Sequence, residues 1–145
     1  MVGRTMVVSD CMSRKVVSFD VRDDVGDVVA TLLENKITGA PVLDKDRNVI
    51  GFISEQDCIK EMLNTAFYCD LTANAGDVMT HEVLTVHPGM PIAELAELLS
   101  SAKPRVYPVV DEGRLVGIIN RSDVLQELYD ASVRCHHLTD QKTAL

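Results

Sequence analysis

The chain has 145 residues, enough for one compact domain with a substantial buried core. Hydrophobic residues make up 46% and charged residues 25%, as in a soluble globular protein, and aromatic residues only 4% with no tryptophan, so the core is aliphatic. A formal net charge of −8 argues against a general nucleic-acid binder and against docking on an anionic membrane, both of which need clustered basic surface.

No apolar run approaches a membrane span, and Met1 to Val8 lacks the apolar stretch of a signal peptide, so the expected location is the cytoplasm. Val16 to Phe19 is a short apolar, β-branched run that predicts a strand. Asp23-Asp24 supply caps and negative charge for a helix start, and Val25, Val28, Val29, Leu32 and Leu33 then recur on one helical face. Gly39 ends that segment, and Pro41-Val42-Leu43 opens a second strand. Asp44 to Asn48 is a polar turn, and Val49 to Ile53 is an apolar strand of the kind buried on both faces. Cys58, Ile59, Met62 and Leu63 mark one face of a second helix, after which Asn64 to Gly76 shows no clear periodicity.

A second set of elements follows. Leu84 to Val86 predicts a strand, and Pro91 suits the first turn of a helix whose face carries Ile92, Leu95, Ala96 and Leu99. Tyr107 to Val110 and Leu115 to Ile119 are strands about a tight turn, Asp111 to Arg114. The last helix turns Val124, Leu125 and Leu128 inward.

The second set is the first one repeated. Asp10-Cys11-Met12-Ser13 aligns with Asp77-Val78-Met79-Thr80, and the same spacing pairs Val16 with Val83, Leu32 with Leu99, Lys36 with Lys103, Pro41 with Pro108 and Asp44 with Asp111. One residue is lost in the following turn, where a length change costs least, and Gly51-Phe52-Ile53-Ser54-Glu55-Gln56-Asp57 then meets Gly117-Ile118-Ile119-Asn120-Arg121-Ser122-Asp123. Either unit alone leaves a hydrophobic sheet face exposed and pairing buries both, which predicts one domain made of two related units. The expected organisation is a first repeat over 8–66, a connector over 67–76, a second repeat over 77–130 and a flexible tail over 131–145.

Ser54-x-x-Asp57 and Asn120-x-x-Asp123 sit where a strand passes into a helix. A helix N-terminus presents unpaired N–H groups and partial positive charge, which suits phosphate oxygens, and a carboxylate one turn in can accept the paired hydroxyls of a ribose. The same spacing is also that of a capping box, in which these side chains only close the helix start. The two roles are compatible, since a cap uses one lone pair of a serine hydroxyl and leaves its donor free.

Asp-x-Met-Ser/Thr, apolar-Pro-Val-apolar-Asp and Gly-apolar-Ile-x-x-x-Asp, present twice in that order, resemble a tandem pair of CBS domains, a Bateman module, over about residues 8 to 130. The resemblance implies an α+β fold of two pseudo-symmetric βαββα repeats packed through their sheets. It implies adenosine-containing ligands (AMP, ADP, ATP, S-adenosylmethionine or NAD-type molecules) in clefts between the repeats, a homodimer, and regulation of a partner protein. Carried over by position, one cleft takes Lys15, Val17, Ile37, Thr38, Gly39 and Ala40 from the first repeat with Asn120, Arg121 and Asp123 from the second. The other takes Ser54 and Asp57 with Leu84, Pro104, Arg105 and Val106. Asp57 and Asp123 are the implied ribose ligands. Lys15, Arg105 and Arg121 favour the Asp123 cleft for phosphate, whereas Glu55 opposes a polyphosphate in the Asp57 cleft.

Cys11, Cys58, Cys69 and Cys135 show no Cys-x-x-Cys spacing and are expected as reduced structural thiols; Cys135-His136-His137 offers stray metal ligands in the tail. No glycine-rich phosphate loop occurs, and His81, His87, His136 and His137 stand at no recognisable nucleophile spacing, so no enzyme, metal or required cofactor is expected. Two functions remain open: a sensor that binds an adenine nucleotide as regulatory ligand, and a constitutive dimeric scaffold with vestigial clefts.

Overall fold

The structure is a computed structural model and describes residues 6–68, 72–101 and 106–143; for 65–68 and 136–143 only the helical backbone is described. The first half contains α1 (Val8–Cys11), β1 (Phe19–Asp20), α2 (Val25–Asn35), β2 (Gly39–Leu43), β3 (Val49–Ser54) and α3 (Glu55–Tyr68). The second contains α4 (Ala75–Val78), α5 (Ile92–Leu99), β4 (Val106–Asp111), β5 (Arg114–Asn120) and α6 (Arg121–Thr143). β1 lies parallel to β2, and β2 pairs antiparallel with β3. β4 and β5 repeat that hairpin, with the parallel third strand reduced to a bridge between Val86 and Val109. This is the α+β arrangement of two βαββα units expected from the sequence. The two hairpin turns bond to each other, Val49 N–H to Gly113 O at 3.2 Å and Leu115 N–H to Arg47 O at 3.2 Å.

Each unit has its own aliphatic core. In the first, Val28 and Leu32 of α2 meet Phe19, Ala40, Val42, Ile53 and Cys58; in the second, Ile92, Leu95 and Leu99 of α5 meet Val86, Tyr107, Val109, Ile119 and Val124. Pro41 and Pro108 stand inside these hairpins without breaking them. Their opposite numbers, Phe52 and Ile118, turn their backbone groups away from the hairpin, so no ladder hydrogen bond needs the missing proline N–H.

The openings of the repeats are exchanged. α1 carries Val8 into the second core, while α4 carries Ala75 into the first. After α1, Ser13 and Ile118 bond each other through both backbone groups, at 2.8 and 2.9 Å; after α4, Thr80 and Phe52 do the same, at 2.8 and 2.9 Å. Between helix and anchor, Met12 lies on Gly117 and Met79 lies on Gly51. A Cβ on Gly117 would stand 2.6 Å from Met12 Sδ and 2.9 Å from Ser13 O, and one on Gly51 would overlap Met79 Sδ. The glycine that begins each Gly-to-Asp phrase is therefore the seat of the methionine from the other repeat, so the sequence repeats and the two packed cores are not the same units.

Several elements differ from expectation. The strand expected over Val16 to Phe19 is confined to Phe19–Asp20, and Leu84 to Val86 forms only the bridge at Val86. α3 continues to Tyr68 into the segment without periodicity, and α4 occupies its end. α6 runs on through residues 131–143 to Thr143, where no glycine or proline interrupts it. Leu125 and Leu128, expected inward, are 67% and 45% exposed; Val124 alone of the three is buried.

Gly117→Ala is expected to cost about 3 kcal/mol, because a backbone carbonyl blocks the new methyl, and Gly51→Ala about 1 kcal/mol, because a flexible methionine can move. Chemical denaturation of both, and of Gly51→Ala combined with Met79→Ala, checks this; the double variant should be more stable than the summed single costs imply. The Tyr107 hydroxyl is buried with no hydrogen-bond partner among the described residues, and burial raises its pKa against the opposing charge of Arg121. Tyr107→Phe is therefore expected to leave stability unchanged or raise it by up to about 1 kcal/mol, read from the same unfolding curves.

Candidate functional site

The strand-to-helix junctions at β3–α3 and β5–α6 are closed capping boxes. Ser54 N–H and its hydroxyl both donate to Asp57 Oδ2 at 2.9 Å, and Asp57 N–H donates to Ser54 Oγ at 3.2 Å. Asn120 N–H donates to Asp123 Oδ2 at 2.9 Å, and Asp123 N–H donates to Asn120 Oδ1 at 2.8 Å. Asn74 and Asp77 close α4 in the same way, and Val7 N–H donates to Asp10 Oδ2 at 2.9 Å at the start of α1, without a side-chain acceptor in return. An aspartate three residues after the cap is thus first a helix-start device of this chain. The Ser54 hydroxyl is not left free as a donor, contrary to expectation, because the Asp57 carboxylate accepts its hydrogen bond. Oδ1 of Asp57 and of Asp123 has no partner among the described residues.

Two clefts lie where the repeats meet. The first, about 270 Å³, is lined by Lys15, Val17, Lys36, Ile37, Thr38 and Gly39 of the first repeat and by Val106, Ile118 and Asn120 of the second. Asn120 also borders a neighbouring hollow of about 280 Å³ with Arg121, Ser122 and Leu125. Asp123 lines neither space; it stands behind Asn120, bonded to its backbone. The second cleft, about 170 Å³, joins Phe52, Ser54 and Asp57 to Thr80, Glu82, Val83, Leu84, Val106 and Pro108. Beside it a hollow of about 430 Å³ is lined by Thr38, Phe52, Ser54, Glu55, Gln56, Ile59 and Val106. Val106 borders both clefts and separates them.

Most of the expected residues are brought together as the sequence places them. Ala40 is not: it is fully buried in the first core opposite Ile53, because alternation along β2 turns it away from the cleft that Gly39 borders. Pro104 and Arg105 lie outside the described residues, as does Cys69. Sequence reasoning missed Lys36, Phe52, Thr80, Glu82 and Ile118. The repeat alignment held the signal for Glu82, which occupies the position of Lys15, and for Phe52, the counterpart of Ile118. Gly39 lets the Phe52 ring approach, since a Cβ there would stand 2.5 Å from Phe52 Cε1 and 3.0 Å from Ile53 O. Lys36 ends α2 in the left-handed conformation, φ 54°, and its N–H closes the helix on Leu32 and Leu33.

The back of the Asp123 junction is acidic. Burial pushes the Cys11 thiol up to about 11, with Glu127, Asp123 and Asp10 adding to the shift. A thiol whose pKa is raised on folding contributes its full stability below the unfolded value of about 9 and loses it as pH rises through the folded value. The stability difference between wild type and Cys11→Ala should therefore shift in favour of the variant between about pH 9 and pH 11, measured by urea unfolding across that range.

Residues 8–64 and 75–130 each match the CBS domain. The chain belongs to the CBS-domain family, as a tandem pair. CBSX2 of Arabidopsis thaliana, solved in complex with AMP, aligns at a TM-score of 0.76 with 30% sequence identity, covering 87% of this chain and 98% of that one. An uncharacterized protein of Methanocaldococcus jannaschii is 32% identical over 87% of this chain and 93% of its own length. The CBS domain pair of protein MJ0100, solved with 5′-methylthioadenosine and S-adenosyl-L-methionine, shares the fold at a TM-score of 0.72 and 22% identity, over 89% of this chain and 99% of that one. Other curated relatives are longer, and the chain spans 42% of one and 15% of another.

Proposed function

We propose that this CBS pair is a regulatory module that binds an adenine nucleotide of the AMP, ADP or ATP type between its repeats and passes the binding to a partner protein. One observation carries the reading: each cleft is lined by side chains of both repeats, so a ligand in either one bridges two separate cores and changes how they sit together. The apolar walls and backbone of Val17 and Ile37 to Gly39 suit an adenine ring, and Asn120, held by Asp123 behind it, suits ribose and phosphate. The AMP complex of CBSX2 supports this ligand class, and the adenosyl ligands of the MJ0100 pair fit the same fold.

A route to a partner is built into α2 and α3. Leu33, Ile59, Met62 and Leu63 are exposed around a groove of about 280 Å³ completed by Val29, Leu32, Cys58 and Glu55. Leu98, Leu125, Leu128, Tyr129 and Val133 form the corresponding exposed apolar face on α5 and α6. Apolar area of this kind favours a homodimer through the paired helices. Glu55 and Ile59 border both the groove and the hollow beside Ser54, so a ligand there touches the same side chains as a docked chain.

The closed caps favour a second reading, a constitutive dimeric scaffold, because they account for Asp57 and Asp123 without any ligand. A thermal-shift titration with AMP, ADP, ATP, S-adenosylmethionine and NADH separates the two. Stabilisation of about 2.7 kcal/mol is expected at a ligand concentration of about one hundred times the dissociation constant, and no shift with any of them leaves only the scaffold. Direct titration of AMP should then show most affinity lost in Asp123→Ala and retained in Asp57→Ala. Both variants lose a cap worth about 1 kcal/mol, so equal loss of AMP binding contradicts the ranking of the clefts.

A further inference from the structure

The two clefts are related by the repeat, yet their charges are exchanged. Lys15 and Glu82 occupy equivalent positions, each two residues past a main-chain anchor on the opposite sheet, Ser13 on Ile118 and Thr80 on Phe52. The anchors hold Lys15 and Glu82 at the corresponding place in each cleft. A second pair repeats the pattern. Arg121 and Glu55 are the first residues of α6 and α3, and they border the hollows beside the first and second clefts respectively. Among the described residues Lys36 adds another positive charge to the first cleft; its repeat counterpart Lys103, and Arg105, lie outside them. All five side chains are exposed, and among the described residues none is in an ion pair or a side-chain hydrogen bond.

Exposed charges at the mouth of a cleft act on the ligand. On a protein of net charge −8, a phosphate group enters where local cations offset the general repulsion, and a carboxylate at the same point repels it. From this we infer that the clefts select nucleosides of opposite charge. Lys15, supported by Lys36 and Arg121, makes the cleft at Asn120 a site for a phosphate-bearing nucleotide. Glu82, supported by Glu55, makes the cleft at Ser54 a site for a nucleoside carrying a positive charge. The inference rests on the nucleoside reading above and adds the residues that divide the two sites. Lys15 and Glu82 are specificity-determining residues, and the shared machinery of caps, aspartates and apolar walls serves both clefts.

The test uses two probes that share adenine and ribose and differ only in charge at the 5′ position, AMP and 5′-amino-5′-deoxyadenosine. Wild type, Lys15→Glu, Glu82→Lys and the double exchange are titrated calorimetrically at low ionic strength, with thermal melts to confirm folding. Lys15→Gln and Glu82→Gln serve as neutral variants. Wild type should bind a single AMP and a single aminonucleoside per chain. Glu82→Lys should gain a second AMP and bind the aminonucleoside about tenfold more weakly, while Lys15→Glu should do the reverse. The neutral variants should fall between, and added salt should shrink every difference. Nucleoside binding that ignores these substitutions in both stoichiometry and affinity overturns the inference and leaves the nucleoside reading intact. Failure of all the proteins to bind either probe removes the nucleoside reading, and the inference with it.

Discussion

Met12 on Gly117 and Met79 on Gly51 are the contacts on which the remaining architecture turns. Each methionine comes from the opening of one repeat and rests on the sheet of the other, in a space that exists because glycine has no side chain there. One residue further on, Ser13 and Thr80 lock the exchange with paired backbone hydrogen bonds to Ile118 and Phe52. Those same bonds absorb the backbone groups of the residues opposite Pro41 and Pro108, so the prolines at the heart of each hairpin and the exchanged openings are parts of one solution. Without the exchange, Val8 and Ala75 would leave their cores and two backbone pairs would be orphaned, at a cost neither half could offset alone.

The exchange also makes the clefts. A segment that leaves its own repeat to lie on the neighbouring sheet must cross the gap between them, and its next few residues then form one wall of the space. Lys15 and Val17 follow the Ser13 anchor, and Glu82, Val83 and Leu84 follow the Thr80 anchor. The opposite wall is the strand-to-helix junction, Asn120 in the first cleft and Ser54 with its capping Asp57 in the second. The capping bonds fix each carboxylate through Oδ2 and, among the described residues, leave Oδ1 without a partner, so helix closure holds Asp57 in place at the wall of the second cleft. A capping role for Asp57 is therefore compatible with the ligand role proposed for it.

The repeat and its helix faces were legible in the sequence because periodicity and spacing are local properties. Ala40 was misplaced because its neighbours border the cleft, while strand alternation, a property of the paired sheet, sends it into the core. Leu125 and Leu128 carry the right residue type and helical spacing for a core, yet Val124 alone fills that role, since the short sheet of β4 and β5 offers α6 little area to cover. The apolar residues left over became surface, which no pattern in one chain distinguishes from interior. Lys36 and Glu82 escaped notice for another reason. Neither belongs to a recurring phrase, and their importance arises only when the exchanged openings bring them to the cleft walls.

Duplication first makes two equal sites, and equal sites respond to one ligand together. Here the framework has stayed symmetric while two charged positions have not: glycines, methionines, prolines and capping aspartates match between the halves, whereas Lys15 faces Glu82 and Arg121 faces Glu55 across the alignment. The conserved set is the one the fold requires, since changing any of these residues disturbs a core or an anchor. The divergent set lies on exposed side chains whose replacement costs the fold little. A module divided in this way can change what each cleft accepts without changing how the repeats are joined. Glu55 and Ile59 border both the hollow beside the second cleft and the apolar groove on α2 and α3, so under the proposed function a ligand there would meet the side chains a docked chain meets, whereas one in the first cleft would reach them only through the shared wall at Val106.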